Sequence, residues 1–217
     1  LNPYAHIHRK ITLEGILTGP DTIVNNPYVA DPIRLDDCCP VSDGAPACLL
    51  CPAEMVKGFE KPEVVIAGFG QATDTHTLQE RDDPTDLKAV TIAAQKAFEM
   101  AKLTPKDIDV AELHDAFTIL EIAESEHAGF FEKGKGAKAL DEGKTRIGGA
   151  LPINPSGGLK ARGHPLGATG VAQVVELVWQ LRGEAGQRQV KGAEKGFSLN
   201  FGGFGNNVLA FVLRREP

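Results

Sequence analysis

Two stretches of the chain repeat apolar residues every three or four positions, the spacing that places them on one face of an α-helix. The first runs over Thr85–Ala101 and the second over Thr169–Leu181. Thr85 has a side chain suited to a helix N-cap. We therefore predict two amphipathic helices. Their core-facing residues are Leu87, Val90, Ala94, Ala97, Phe98 and Ala101 in the first helix, and Val171, Val174, Val175, Val178 and Leu181 in the second.

Shorter apolar segments lie between the helical ones and predict strands. These segments are Glu63–Gly70, Ile108–Leu113, Gly196–Phe201 and Val208–Leu213. The first of them, EVVIAGFG, is apolar almost throughout, which is typical of a central strand. A further helix is predicted over Phe117–His127, ended by Gly129. Alternating strands and helices favour an α/β fold, and the glycine turn between the last two strands favours a hairpin at the edge of a mixed sheet.

The remaining segments have weaker patterns. Prolines in residues 1–35 predict loops with at most short elements. A strand is predicted over Ala47–Cys51 and a short helix or turn over Ala53–Gly58. Residues 133–149 form a segment rich in glycine and lysine.

Composition and charge narrow the functional classes. The 217 residues are 42% hydrophobic and 24% charged, with a net charge of −6. These proportions predict a globular chain that is long enough to bury a core. The basic residues are scattered, which argues against nucleic acid or an anionic membrane as the partner. No apolar run approaches the roughly 18 residues of a membrane span. The N-terminus has neither an apolar signal stretch nor an initiator Met, so we expect a cut chain.

Four cysteines lie close together, at positions 38, 39, 48 and 51. Cys48 and Cys51 form a C-x-x-C pair, but no second Cys/His pair follows at zinc-finger spacing. On a strand, positions three apart face opposite sides, so these two thiols would not share a metal ion. We predict that the cysteines are buried as small apolar residues, that the chain holds no metal, and that its compartment is the reducing cytoplasm.

Three loops carry residues that could take part in catalysis or ligand binding. The first contains His114, where a predicted strand ends and a helix begins, the edge at which open α/β sheets bind ligands. A histidine there can hydrogen-bond a carbonyl or water, or it can satisfy nearby backbone. Asp115 could cap the following helix. Both interpretations of His114 stay open on this segment alone.

The second loop, residues 154–170, holds His164 between Gly163 and Pro165. Glycines let backbone approach a ligand closely, and the proline limits its neighbour, so the imidazole is held stiffly, as a general base requires. The alternatives are a phosphate-binding loop, whose standard motifs are not matched, or a plain connection. The third loop, residues 198–207, offers glycine N–H groups to an oxyanion, or forms a simple hairpin turn.

Together, and in this order, the three loops resemble those of the C-terminal half of a thiolase. The stretch GGLKARGHPLGATG, residues 157–170, is the most specific match. Residues 114–117 (HDAF) resemble the H-D-x-F of sterol-carrier-type and archaeal thiolases. Residues 37–44 (DCCPVSDG) resemble the segment before the last strand of the family's N-terminal half, and residues 2–5 (NPYA) resemble the tail of its loop region.

The resemblance implies a layered α-β-α fold with a mixed sheet. Residues 1–35 would be the tail of the loop region, residues 36–60 the end of the N-terminal half, and residues 61–217 the C-terminal domain. The family packs two similar halves back to back, so this chain alone would expose an apolar face. We expect either a fragment of a longer polypeptide or a second chain that supplies the N-terminal half.

The resemblance also implies chemistry on coenzyme A thioesters by Claisen condensation or its reverse, with no covalently bound cofactor. His164 resembles the histidine that activates the nucleophilic Cys, with Gly163 beside it as a binding residue. His114 resembles the residue that binds a catalytic water or thioester oxygen. Gly202 resembles the glycine whose N–H completes an oxyanion hole, and Cys39 aligns with a small residue near the pantetheine arm of coenzyme A.

Two departures from the family's pattern bear on the reaction. The nucleophilic Cys belongs to the half that is absent, and none of the four cysteines lies in its motif. The acid/base Cys is replaced in both positions that the family uses, by Asn200 in one branch and by Ala116 in the other. An amide or a methyl group does not protonate a carbanion. His114, His164 or a residue of the missing half would take over that work.

Three functions are compatible with these residues. The chain is part of a thiolase, or part of a thiolase-fold aldolase that cleaves a β-hydroxyacyl-CoA, or a non-catalytic scaffold, against which the intact His164 motif argues. The family also implies a homo-oligomer and a small partner protein with a zinc ribbon and an OB-like fold. Lys160 and Arg162 are expected on a solvated face.

Overall fold

A four-stranded mixed sheet organises the described part of the chain, residues 26–56 and 60–216 of a computed structural model. The strands are β1 (Tyr28–Ala30), β2 (Ile33–Arg34), β3 (Val64–Thr73), β4 (Val110–Glu112), β5 (Lys195–Gly202) and β6 (Asn207–Arg215). The α-helices are α1 (Lys88–Ala101), α2 (Thr118–His127), α3 (Gly136–Asp141), α4 (Gly158–Arg162) and α5 (Thr169–Arg182). The sheet order is β3-β6-β5-β4, with β4 parallel to β5 and the other neighbours antiparallel. β1 and β2 form a separate antiparallel pair.

Helices cover the two faces of this sheet. α1 packs on β3 and β6, whereas α5 packs mainly on β5 and β4. Successive strand residues point to opposite faces. Accordingly, Ala111 belongs to the core cluster that contains α1, and its neighbour Val110 belongs to the cluster that contains Leu177 and Leu181 of α5. The layered α-β-α fold with a mixed sheet is therefore confirmed.

Helix α1 follows the clearest periodic pattern, and all six of its predicted core residues are buried. The helix begins at Lys88, not at Thr85. The N-cap prediction was wrong because Thr85 is engaged in a local turn, where its N–H and hydroxyl both donate to Asp83 Oδ1 at 2.8 and 2.6 Å. Short polar side chains often prefer such local bonds to a helix end.

Strand β3 lies at the edge of the described sheet and not at its centre, and the β5–β6 hairpin occupies the centre instead of the edge. The residues of β3 are apolar for a different reason on each face of the strand. On one face Gly68 and Gly70 touch α1 so closely that a Cβ at either position would overlap its backbone carbonyl oxygens. On the other face Ile66 and Phe69 are exposed. A continuous apolar run therefore does not by itself indicate a central strand.

Helix α5 buries part of its predicted face together with polar residues that the spacing did not select: Val174 and Val178 are partly buried against the core cluster that contains Leu177 and Leu181. Of its five predicted core residues only Leu181 is buried, while the four valines are exposed or half-buried and Trp179 is 44% exposed. The other buried residues are Thr169, Gln173, Glu176, Leu177 and Gln180. The polar members of this set are hydrogen-bonded to protein groups, which allows their burial. Hydrophobic spacing gave only part of the buried face, because it cannot reveal the burial of hydrogen-bonded polar groups.

Residues 38–56 form an extended and largely exposed segment. The strand predicted over Ala47–Cys51 is not formed, and the segment pairs with none of the named strands of the described chain. Cys48 and Cys51 are exposed and the other two cysteines half-buried, all four as free thiols. The prediction of buried cysteines was therefore wrong, because the described residues leave this segment without a covering layer. Ala53–Met55 forms one 3-10 turn within the range predicted as a short helix or turn.

The segment 133–149 contains α3, which its glycine- and lysine-rich composition did not predict. The NPYA motif at residues 2–5 lies outside the described residues, as do Gly58 and residues 1–25 of the expected loop region. Among the described residues, no helix has the length and apolarity to cross a membrane, and no group of side chains could hold a metal ion.

Candidate active site

The carboxyl end of β4 leads into the loop that carries His114, and hydrogen bonds hold this loop on three sides. Asn154 Oδ1 accepts the N–H that precedes His114 at 2.7 Å, and Glu124 Oε2 accepts the His114 N–H at 2.7 Å. Asp115 Oδ1 accepts the Leu159 N–H of α4 at 2.8 Å. Asp115 therefore bonds α4 and not the helix that follows it. The His114 side chain is held in the interior, and the residue is only 5% exposed.

His164 follows α4 in the glycine-rich loop. Gly163 has φ +92°, and a Cβ there would overlap Ser42 Oγ, so both the backbone and the space require glycine. His164 Nδ1 lies 2.6 Å from Thr169 Oγ1, and that hydroxyl donates to Pro165 O at 3.1 Å. A hydroxyl has a single proton to donate, and here that proton faces Pro165 O. We therefore assign the ring proton of His164 to Nδ1 and the lone pair to Nε2.

The two candidate histidines, 50 positions apart in the chain, meet in space. Their ring centroids are 4.7 Å apart, and the ring planes are nearly perpendicular at 86°. Burial, then the neighbouring His164, then the Arg162 charge lower the pKa of His114 to about 3. Burial and the Arg162 charge also lower the pKa of His164. Both imidazoles are therefore neutral near pH 7, so each offers one donor and one acceptor nitrogen.

Strand β5 brings Asn200 to the same pair of rings. Asn200 Nδ2 lies 3.3 Å from His114 Nδ1 and 3.3 Å from Gln173 Oε1. Gly202 lies two residues further along β5, on the same side of the strand by alternation, and is half-buried. Its role as an oxyanion donor stays a prediction. Sequence reasoning missed Gln173, whose only signal was an amide among the valines of α5.

Cys39 lies against the loop after β4, since its N–H donates to Ala116 O at 2.8 Å. The thiol is half-buried, and burial raises its pKa. Residues 42–46 and 165–168 line an open cleft of about 410 Å3 beside the glycine-rich loop. Contacts of Cys39 and Gly163 with coenzyme A stay predictions.

Several buried carboxyl groups lie in and around the histidine loops, among them Glu112, Asp115 and Glu124. Glu112 accepts the Ser156 hydroxyl at 2.7 Å and the Ser156 N–H at 3.2 Å. Burial raises the pKa of Glu112 to about 8 although Arg162 opposes the shift. Burial and the neighbouring Glu121 raise the pKa of Asp115 to about 7. Protonation of these carboxyls near neutral pH removes the cost of a buried negative charge.

The cations of α4 do not lie on a solvated face, contrary to the sequence expectation. The Lys160 side chain is 12% exposed, and its Nζ lies 3.1 Å from Asp36 Oδ1 and 3.0 Å from Cys38 O. The Arg162 side chain is 21% exposed, and its guanidinium lies 4.0 Å from a Glu112 oxygen. Spacing on so short a helix could not reveal that both faces of α4 are covered.

Comparison with known proteins shows which family this fold belongs to. The Thiolase C-terminal domain-like family model matches residues 70–215. The chain is 51% identical over 214 residues to an acetyl-CoA acetyltransferase of Methanothermobacter thermautotrophicus, covering 99% of this chain and 54% of that protein. It is 39% identical over 221 residues to sterol carrier protein 2 of Oryctolagus cuniculus, covering 100% and 39%. The solved structure named Ltp2-ChsH2(DUF35) aldolase matches with a TM-score of 0.81 at 25% identity, covering 99% and 54%.

The family model includes both histidine loops, α5 and the closing hairpin. The chain spans about half the length of the acetyl-CoA acetyltransferase that it matches. The similarity therefore extends well beyond the three loops from which the resemblance was first inferred. The chain belongs to the thiolase family, and its described residues contain the fold of that family's C-terminal domain.

Proposed function

We propose that the chain is the C-terminal part of an acyl-CoA C-acyltransferase, a thiolase that makes or cleaves 3-ketoacyl-CoA by Claisen chemistry. The observation that carries this proposal is the pair of imidazoles, His114 and His164, whose ring centroids lie 4.7 Å apart beyond the carboxyl end of β4. The nucleophilic Cys belongs, in this proposal, to an N-terminal half in the same or another polypeptide.

His164 serves as the base in this proposal. Its Nε2 lone pair takes the proton of the nucleophilic thiol. In the cleavage direction the thiolate attacks the 3-keto carbonyl, the C2–C3 bond breaks, and the acetyl-CoA enolate leaves. Because positions 116 and 200 carry no thiol, the His164 imidazolium returns its proton to the enolate. The thiol of free coenzyme A then takes over the acyl group and restores the enzyme thiol.

The negative charge that develops on the substrate oxygens needs donors during these steps. We assign His114 and the Gly202 N–H to this work, in line with the family resemblance. A neutral imidazole suits the role of His114, since it donates one hydrogen bond without carrying a charge into the interior. The same two donors serve in the condensation direction, where the steps run in reverse.

Exposed apolar side chains support the proposal that an N-terminal half packs against this chain. Val171 and Trp179 of α5 are exposed, as are Val41, Leu49 and Leu50 of the extended segment. Fully burying one such side chain is worth about 1.5–3 kcal/mol. We propose that the N-terminal half covers this surface, with residues 36–60 as its end and residues 61–217 as the C-terminal domain.

A thiolase-fold aldolase is the second candidate. Ala116 and Asn200 occupy the two positions where the family carries its acid/base thiol, and a solved aldolase has the same fold. In a retro-aldol cleavage His164 would take the hydroxyl proton of a β-hydroxyacyl-CoA and return it to the enolate after the C2–C3 bond breaks. That aldolase is named together with ChsH2(DUF35), which supports our proposal of a partner protein. The small size, zinc ribbon and OB-like fold of the partner are proposed from the family resemblance alone. A homo-oligomer is proposed from the family alone, and a cytoplasmic location from the acidic net charge and the free cysteines.

Two assays of the full-length protein separate the candidates. Acetyl-CoA formed from a 3-ketoacyl-CoA and free coenzyme A supports the thiolase. Aldehyde or ketone released from a β-hydroxyacyl-CoA without added coenzyme A supports the aldolase and overturns the first proposal. In the active assay, His164→Ala should lower kcat by roughly 100-fold or more. His127→Ala on α2, outside the ring pair, is the control, and a near-normal rate for His164→Ala removes that residue from the mechanism.

A further inference from the structure

The hydrogen-bond partners of the Gln173 amide fix its orientation. Gln173 is fully buried on α5, and its Nε2 lies 2.9 Å from Leu199 O and 3.4 Å from Glu112 O. Backbone carbonyl oxygens only accept hydrogen bonds, so the nitrogen of the amide has to face them. This leaves Gln173 Oε1 on the opposite side, where it needs a donor.

Asn200 provides that donor. Its Nδ2 lies 3.3 Å from Gln173 Oε1, and the reversed amide would place two oxygens against each other. The same Nδ2 lies 3.3 Å from His114 Nδ1. An amide nitrogen has two N–H groups, one for each of these neighbours. The network thus runs from two backbone carbonyls of the sheet, through two amides, to one nitrogen of the imidazole.

The polarity of this network determines where His114 carries its proton. A nitrogen that faces an N–H donor has to accept, so His114 Nδ1 bears the lone pair and Nε2 bears the proton. We infer that Gln173 and Asn200 are positioning residues that hold His114 as the Nε2–H tautomer, so that the ring presents a donor to the reacting thioester oxygen. This inference rests on the proposed acyl-CoA chemistry and assigns Asn200 a task other than proton transfer.

The two imidazoles then have complementary tautomers. Thr169 leaves His164 with its lone pair at Nε2, whereas the amide pair leaves His114 with its proton at Nε2. One ring can therefore take a proton while the other stabilises an oxyanion, and neither has to be charged beforehand. Both the thiolase and the aldolase reaction require this combination, because an enolate forms in each.

Nuclear magnetic resonance of the full-length protein with 15N-labelled histidine reads the tautomer directly, with the His114 signals assigned by their loss in His114→Phe. We expect the Nε2–H pattern in the wild type. Asn200→Asp faces Nδ1 with acceptors only, so Nδ1 should gain a proton, and kcat in the active assay should fall at least 10-fold. Gln173→Glu removes the donor to Leu199 O and should shift the His114 signals as well.

Gln180→Glu is the matched control, because it makes the same exchange on the same buried face of α5 without a link to His114. It should leave the His114 signals unchanged. An Nδ1–H pattern in the wild type, or an Nε2–H pattern that persists in Asn200→Asp, overturns the inference whatever the activity. An Nε2–H pattern that responds to Asn200→Asp in a protein inactive in both assays supports the positioning role and refutes the proposed function instead.

Discussion

Replacing Gly158 by alanine would test how tightly α4 is locked to the His114 loop. Gly158 has φ +63°, and a Cβ there would overlap the Asp115 carboxylate, with Cγ only 2.6 Å away. Asp115 also accepts the Leu159 N–H at 2.8 Å. The new methyl group would have to displace either the carboxylate or α4. His164 follows α4 closely, so the displacement would reach the ring pair.

Two contributions make up the expected loss of stability in Gly158→Ala. A left-handed backbone costs an L-residue about 1–2 kcal/mol, and overpacking a filled site costs typically about 1–3 kcal/mol. We therefore expect Gly158→Ala to lower the free energy of unfolding by about 2–5 kcal/mol. Gly192→Ala isolates the first part, because Gly192 has φ +76° with nothing within 4 Å of an added Cβ. It should lose only about 1–2 kcal/mol.

Urea unfolding of the full-length variants measures these losses, provided that the slopes of the unfolding curves agree. Gly158→Ala should also reduce kcat, whereas Gly192→Ala should not. Equal unfolding midpoints for the two variants would refute the reasoning, since the overlap with Asp115 would then have no energetic consequence. A Gly158→Ala protein that is destabilised but fully active would show that α4 does not position His164.

Three further predictions concern charge and tautomer. Thr169→Val removes the acceptor of His164 Nδ1 and should lower kcat by about 10-fold or more, while Thr169→Ser, which keeps the hydroxyl, should retain the rate. Arg162→Met removes a cation that lowers the pKa of His164, so the acidic limb of the kcat/KM profile should move to higher pH. Burial raises the pKa of Glu112 to about 8 in the folded protein. The contribution of Glu112 to the free energy of unfolding is therefore lost as the pH rises from the pKa of this residue in the unfolded chain towards 8. Glu112→Gln should flatten that decline in urea titrations at several pH values.

Local patterns predicted most of the elements correctly. The spacing of apolar residues located α1 and α5, and short apolar runs located β3, β4, β5 and β6. These predictions succeed because backbone conformation depends on neighbouring residues and on one buried face. Helices α3 and α4 were missed, since each is short and rich in glycine or lysine, and neither has a periodic apolar face to detect.

The burial of α5 shows where such patterns fail. The valines of the predicted apolar face are exposed or only partly buried, whereas Gln173, Glu176 and Gln180 are buried together with Leu177 and Leu181. Burial of these polar groups depends on partners such as Leu199 O, which lie far away in the sequence. No periodicity can reveal those partners, because they are provided by the tertiary fold.

For the site, the sequence by itself determined which side chains were available: an imidazole after a strand, another between glycine and proline, and an amide where a thiol is usual. Only the tertiary structure decided that His114 and His164 meet at 4.7 Å and that Gln173 reaches Asn200. The physical reason is that residue types follow from the chain alone, whereas proximity, proton position and pKa depend on packing and hydrogen bonds between distant segments.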